Sequence, residues 1–489
     1  MKTLVMGGGF GGIAAALRLR ARGHEVTLVD RCPRLGGRAQ VFERDGYRHD
    51  AGPTVITAPF LFAELFALFG EEISQRVTLT PLDPWYRFRF PDNSQFDYGP
   101  GIENMEAEIA RFNPRDVAGY HGLLAESKQL FDIGFTELGD QPFDRLSTML
   151  RQIPRLLRLR IHRSVWDMVS SHIEHPYLRR ALSLQPLLVG GNPFDTTCIY
   201  GLIHYLEREW GVHFAMGGTG ALVDALADLL ERQGVQVENG RSVEAIHRDG
   251  KRIRAVSLDD GTERKADAFV SNLDPMHLYG ELLTPAPPAA RIKRQLATTS
   301  MGLFVLYFGT DRQYPDVAHH TIWLGERYRE LLADIFDRKV LSEDFSLYLH
   351  RPTATDPSFA PEGHDSFYVL APVPNLQGDV DWQTEGPRLQ ARIIQALSES
   401  IMPGLEDSVR APFYMTPQHF RDNYQSVHGS GFSIAPLFRQ SAWFRFHNRA
   451  EGLRNLYLVG AGTHPGAGLP GVLSSAKVLD RLAPGMSGA

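Results

Sequence analysis

With only two cysteines in 489 residues, Cys32 and Cys198, the chain has neither the pairs of a disulfide framework nor the close spacing of a metal knuckle. Cysteine used so sparsely fits a reducing cytoplasm. An excess of positive charge is missing as well. The 51 Lys and Arg stand against 57 Asp and Glu, a net charge of −6, so nothing pulls the chain toward nucleic acid. A spanning segment is also lacking. Residues 455–476 carry no Asp, Glu, Lys or Arg, yet Gly460, Gly462, Pro465, Gly466, Gly468, Pro470 and Gly471 interrupt them too often for a membrane helix. Met1 runs almost at once into an apolar strand, so no cleavable leader is expected. Any membrane contact is therefore expected to be peripheral, from the cytoplasmic side. Internal repeats and low-complexity tracts are absent.

A chain of this length exceeds one comfortable core, so two domains are expected. The opening reads as strand (4–6), glycine-rich turn (7–12), helix (13–22) and strand (25–30), a βαβ unit. Similar pieces recur far downstream. Gly217, Gly218 and Gly220 introduce an amphipathic run at 221–232, followed by strands at 235–238 and 266–271. A last unit comprises a strand at 456–459, a glycine-rich loop and a helix over 471–482. These segments predict one nucleotide-binding sheet assembled from 1–76, 213–284 and 443–489. The intervening 77–212 and 285–442 then form a discontinuous second domain, helical over about 120–212, with strands at 303–308, 345–349 and 366–371.

Gly7, Gly9 and Gly12 make a G-x-G-x-x-G fingerprint in the strand–turn–helix setting that gives the motif meaning. Gly7 permits the tight turn, Gly9 lets a pyrophosphate approach, and Gly12 lets the helix pack on the strand. The helix N-terminus then offers unpaired N–H groups to the phosphates. Asp30 closes the second strand, where an acid bonds ribose hydroxyls. The fingerprint alone leaves FAD and NAD open. The continuation Arg34-Leu35-Gly36-Gly37-Arg38 resembles that of flavoproteins of the amine oxidase and carotenoid desaturase type, which implies FAD, with Arg38 as a charge-assisted donor to the pyrophosphate. Cys32, next to the motif, reads as an inert small residue.

From Asp50-Ala51-Gly52-Pro53-Thr54-Val55-Ile56-Thr57 onward the sequence resembles the bacterial-type phytoene desaturases. The likeness continues through Phe112-Asn113-Pro114-Arg115-Asp116, Leu188-Val189-Gly190-Gly191-Asn192-Pro193-Phe194 and Leu206-Glu207-Arg208-Glu209-Trp210-Gly211. Its most specific block is Asn455-Leu456-Tyr457-Leu458-Val459-Gly460-Ala461-Gly462-Thr463-His464-Pro465-Gly466-Ala467-Gly468-Leu469-Pro470-Gly471. The resemblance implies an α/β fold: a Rossmann-like FAD-binding domain, a discontinuous α+β substrate domain and a helical membrane-docking region. It also implies a wider cofactor set. Phe10, Gly11, Arg31, Gly37, Gly52, Pro53, Thr54, Val243, Gly460, Ala461, Gly462, Pro470, Gly471 and Val472 join the fingerprint glycines, Asp30 and Arg38, while His464 and Pro470 shape the C-terminal loop. Asp30 is one methylene shorter than the glutamate common in this family.

The implied substrates are phytoene and partly desaturated carotenoids, with lycopene as the end product and oxygen or a quinone as terminal electron acceptor. Phytoene has no heteroatom, so an apolar tunnel must recognise it. Desaturation needs a hydride acceptor, which no side chain supplies and a flavin does. A weak base then suffices for the proton, and Glu207 and Glu209 are the candidates, with Arg151 as a cationic partner. Arg151, Arg155, Arg158, Arg160 and Arg163 interleave with Ile153, Leu156, Leu157 and Ile161, four apolar residues expected on one side of an interfacial helix. Pro154 is expected in its first turn. Three other readings stay open: a desaturase of hydroxylated or C30 carotenoids, a lipid-binding chaperone of the same fold without FAD, and an amine oxidase.

Overall fold

A computed structural model describes residues 1–483. The first strand, Lys2–Met6, is apolar from Leu4 onward and buried there, as a central parallel strand covered on both faces must be. Around it lies a five-stranded parallel sheet in the order Leu456–Leu458, Ala268–Ser271, Lys2–Met6, Glu25–Asp30, Gln236–Asn239. The expected strands agree to within two residues at each end. The helix Phe10–Ala21 follows the glycine turn and is buried from Phe10 to Leu19, wedged between this sheet and the helices Gly218–Arg232 and Leu469–Lys477. Its closeness to the strand is set by Gly12, since a Cβ there would stand 1.9 Å from the Gly7 carbonyl oxygen. The helix expected over 471–482 is two, Leu469–Lys477 and Leu479–Leu482. Residues 484–489, within the last predicted segment, lie outside the described residues.

A second sheet has seven strands, in the order Val409–Met415, Gly302–Thr310, Asp365–Val373, Leu347–His350, His320–Trp323, Tyr86–Arg89, Gln95–Tyr98. It is antiparallel except where His320–Trp323 runs parallel to Tyr86–Arg89. Every residue of Gly302–Thr310 is buried because both faces of that strand are covered. The two strands from 86 to 98 went unread in the sequence, although each alternates apolar and polar residues, because at four residues apiece the pattern is short. Of the six α-helices from Ile102–Phe112 to Leu202–Trp210, five pack into an aromatic-rich core with strands of this sheet, while Leu146–Arg158 buries Met149 and Leu156 in a small separate cluster.

The arginine-rich segment forms the helix Leu146–Arg158. Two expectations about it fail. Pro154 lies in its interior rather than its first turn, because the helix begins eight residues earlier, at Leu146. The four apolar residues also do not share a side: Leu156 is buried, Ile153 and Leu157 are exposed, and Ile161 falls beyond the helix end. The helix instead carries two apolar stripes. Met149 and Leu156 face inward, whereas Leu146, Leu150, Ile153 and Leu157 recur at helical spacing on the outside, exposed by 37% to 62%.

Candidate active site

Among the described residues a cavity of about 520 Å³ opens beside the glycine turns. It runs from the glycine turns of the parallel sheet into an apolar chamber, without a break in its lining.

At the first end Gly7, Gly9 and Gly11 meet Gly460 from the last strand's loop. Asn272 wedges between them, and a Cβ on either Gly11 or Gly460 would come within 2.5 Å of its Oδ1. Side chains are excluded here, so backbone N–H groups stay open to a ligand. Asp30 lines this end and also ties the turn together, accepting from the Gly8 and Cys32 amides. Burial raises its pKa, and those two amides pull it back. The Cys32 thiol is pushed up to about 11, mainly by burial, which keeps it unreactive.

Arg38 donates from Nη2 to Ser426 Oγ at 3.0 Å, while its buried Nε has no partner. Desolvation lowers its pKa. A buried guanidinium with a spare donor on the cavity wall requires an acceptor, and a pyrophosphate supplies one. The residues present therefore fit a dinucleotide.

Arg445 was not foreseen. It is 1% exposed and sits beneath the C-terminal loop, where Nε donates to the Thr463 carbonyl at 3.0 Å and Nη2 to that of Ala461 at 2.6 Å. No periodicity announces such a residue, since its partners are carbonyls. His464 packs on Phe143 and its Nε2–H donates to the Leu138 carbonyl at 3.0 Å. Burial holds its pKa down near 4, so the ring is neutral and positions the loop.

The apolar chamber is walled by residues such as Leu187, Ile203, Ile322, Leu324, Tyr368 and Phe432, with Met149 and Leu156 of the arginine-rich helix along one side. Glu207 stands in this wall, fully buried, and accepts the Tyr86 hydroxyl at 2.8 Å; its Oε2 has no hydrogen-bond partner. Burial raises its carboxyl to about 7, against smaller opposing effects from Tyr86, Arg208 and Gln185.

The structure brings together Gly7, Gly9, Phe10, Gly11, Asp30, Arg31, Gly37, Arg38, Gly52, Pro53, Thr54, Gly460, Ala461, Pro470, Gly471, Val472 and Glu207 on this one cavity. Five expected residues lie off it. Gly12 serves helix–strand packing, and Gly462 is pressed against Pro275. Val243 is buried in the core beneath the sheet, at the start of the strand Val243–Asp249. Glu209 is exposed, one helical step past the buried face that holds Glu207, and Arg151 is exposed on the outer side of its helix. Asn272, Tyr86, Tyr348 and Tyr368 are the cavity's unforeseen neighbours. Asn272 alone gave a signal, in the turn that closes a predicted strand.

Comparison with known proteins agrees with this geometry. The family model described as flavin containing amine oxidoreductase matches residues 10–478. A phytoene desaturase (lycopene-forming) from Pantoea ananas is 48% identical, covering 97% of both chains. A phytoene desaturase (neurosporene-forming) from Rhodobacter capsulatus is 42% identical over 99% of this chain and 94% of its own. Among solved structures, an oxidoreductase from Methanosarcina mazei superposes with a TM-score of 0.66 at 16% identity, covering 98% of this chain and 100% of that one. The chain belongs to the flavin containing amine oxidoreductase family, alongside the bacterial phytoene desaturases.

Proposed function

We propose that this protein is an FAD-dependent phytoene desaturase that carries its substrate through to lycopene. The observation that carries this reading is the continuity of one cavity, from glycine turns and Arg38 at one end to an apolar chamber at the other. Similarity to lycopene-forming relatives along nearly the whole chain supports it.

Gly9, Gly11, Asp30, Arg38, Gly460 and Ala461 would hold the dinucleotide. Bound FAD supplies the hydride acceptor that the polypeptide lacks. The chamber walls exclude water and hold the hydrocarbon chain, so positioning provides much of the rate. Glu207 takes up the proton lost from the neighbouring carbon, its raised pKa leaving it a base near neutrality. Glu209 and Arg151, both outside the cavity, act no closer than through charge.

The division into a cofactor domain (1–76, 213–284 and the residues from 443) and a substrate domain (77–212 and 285–442) is part of this proposal, supported by the separate sheets. So is docking on the cytoplasmic face of the cell membrane. Among the described residues no helix is long and apolar enough to cross a bilayer. The bare stripe of Leu146–Arg158, with exposed Phe438 and Phe444 nearby, suits an interfacial seat, and Phe438 also lines the cavity. Oxygen or a quinone at that surface completes the cycle.

The test is phytoene presented in liposomes with FAD. The coloured absorption of a long conjugated chain supports the proposal; a flavin-bearing protein that leaves phytoene unchanged overturns it.

A further inference from the structure

Behind the cavity wall lies a cluster that desaturation does not use. His319, His320 and His350 are all buried, and one ring nitrogen from each lies within 4.8 Å of the other two. The strands dictate the meeting: in the antiparallel pair of His320–Trp323 and Leu347–His350, His320 stands directly opposite His350, and His319 immediately precedes it. We propose that these three imidazoles bind a divalent transition metal, zinc in the cell, at a buried site away from the cavity.

Two of the rings are already oriented for the task. His319 Nδ1 is engaged by Thr355 Oγ1 at 2.7 Å and His320 Nδ1 by the Tyr348 hydroxyl at 2.8 Å. With Nδ1–H donating outward, each Nε2 is left as a free lone pair, and neither Nε2 has a hydrogen-bond partner. Both nitrogens of His350 are likewise unpartnered. Four orphaned nitrogens in one buried spot are far more than a folded interior ordinarily tolerates. Burial keeps all three rings in the neutral, ligating form. Asp50 supplies a negative charge, its Oδ2 lying 3.9 Å from His350 Nε2 and held by the Thr219 amide at 3.1 Å.

Nitrogen ligands with a nearby carboxylate suit zinc among the common divalent ions. Metal–nitrogen bonds of about 2.0 Å require the rings to draw together from their present spacing. Tyr348 links this cluster to the cavity, for its hydroxyl also meets Thr54 Oγ1 at 2.6 Å. The site therefore braces the wall from behind without opening into it. This inference does not depend on the substrate assigned above.

The experiment is elemental analysis of the untagged, flavin-bearing protein from cells grown with added zinc, after dialysis against a chelator to strip surface ions. About one zinc per chain is expected, with X-ray absorption giving nitrogen neighbours near 2.0 Å. Growth in cobalt instead should give protein that carries visible Co(II) d–d bands. His350→Phe should lose at least about nine-tenths of the metal while keeping its flavin. Wild-type protein that carries no metal from either medium overturns the proposal, whatever the variant does. Metal that persists in a folded, flavin-bearing His350→Phe variant overturns it as well.

Discussion

Tyr86 donates its phenolic hydrogen to Glu207 across 2.8 Å, in a place where neither side chain reaches solvent. The tyrosine comes from a strand of the large sheet and the glutamate from the helix Leu202–Trp210, so the bond crosses two layers of the fold.

The pair predicts a pH signature. Burial lifts the Glu207 carboxyl from its usual 4.5 to about 7, so between those values the folded chain holds a proton that the unfolded chain releases. Stability due to this group falls as pH rises from about 4.5 to about 7 and is flat above that. Glu207→Gln lacks the loss, so its unfolding free energy should gain on wild type across that window, by a few kcal/mol at most at ~1.4 kcal/mol per unit, and its thermal midpoint should rise relative to wild type accordingly. Turnover should rise with pH through the same region, and Tyr86→Phe should move that limb upward, because it withdraws a bond that favours the ionised carboxylate. Full turnover in flavin-loaded Glu207→Gln would remove Glu207 from the mechanism; otherwise a drop of about 10²- to 10⁴-fold is expected.

Arg38 is predicted to set flavin affinity. Replacing it with Ala removes the unpaired Nε donor and a charge-assisted bond of about 1.5–3 kcal/mol, so FAD should bind about 10- to 100-fold more weakly. Fluorescence titration of the released flavin measures this. Unchanged affinity would mean that the guanidinium faces something other than phosphate.

Arg445→Met should loosen the C-terminal loop. The carbonyls of Ala461 and Thr463 would lose their donor, at about 1–3 kcal/mol for each left buried and unpaired. A lower thermal midpoint together with reduced flavin occupancy is expected. A lower midpoint with flavin fully retained would confine Arg445 to general stability.

The exposed stripe of Leu146–Arg158 should decide membrane binding more than the arginines do. Leu150→Asp combined with Leu157→Asp should abolish flotation with anionic liposomes while leaving the flavin spectrum intact. Charge reversal at Arg151 and Arg158 should weaken it. Reversal at Arg155 should matter less, because that side chain is already paired with Glu137 at 2.6 Å. Flotation that survives the double Asp variant would assign docking to another surface.

Much of the cofactor end was legible because its physics is local. A tight turn, a helix start and an acid at a strand end leave fixed spacings, and Gly7, Gly9 and Asp30 stand where those spacings put them. Arg38 came from the likeness of its segment to flavoproteins, and it lines the same cavity. The chamber was not, since it is assembled from residues as distant as Leu187, Ile322 and Phe432, each an ordinary apolar residue in its own segment. Glu207 and Glu209 are two positions apart and were inseparable until the helix turned one inward and the other to water. Pro154 misled because proline favours a first turn, but the packing of Met149 and Leu156 carries the helix through it. Val243 came from the family likeness alone, and its own surroundings place it in the core.

The order of the parallel sheet has a consequence for biosynthesis. Its middle strand arises near residue 2 and its edge strand at Leu456–Leu458, whose loop brings Gly460 against Asn272. A ribosome that has long since made the middle strand has therefore not yet delivered Leu456–Leu458 and the Gly460 loop, the piece that closes the coenzyme's seat. Flavin capture is therefore expected to await synthesis of that loop, and a product stopped before Leu456 should emerge without pigment.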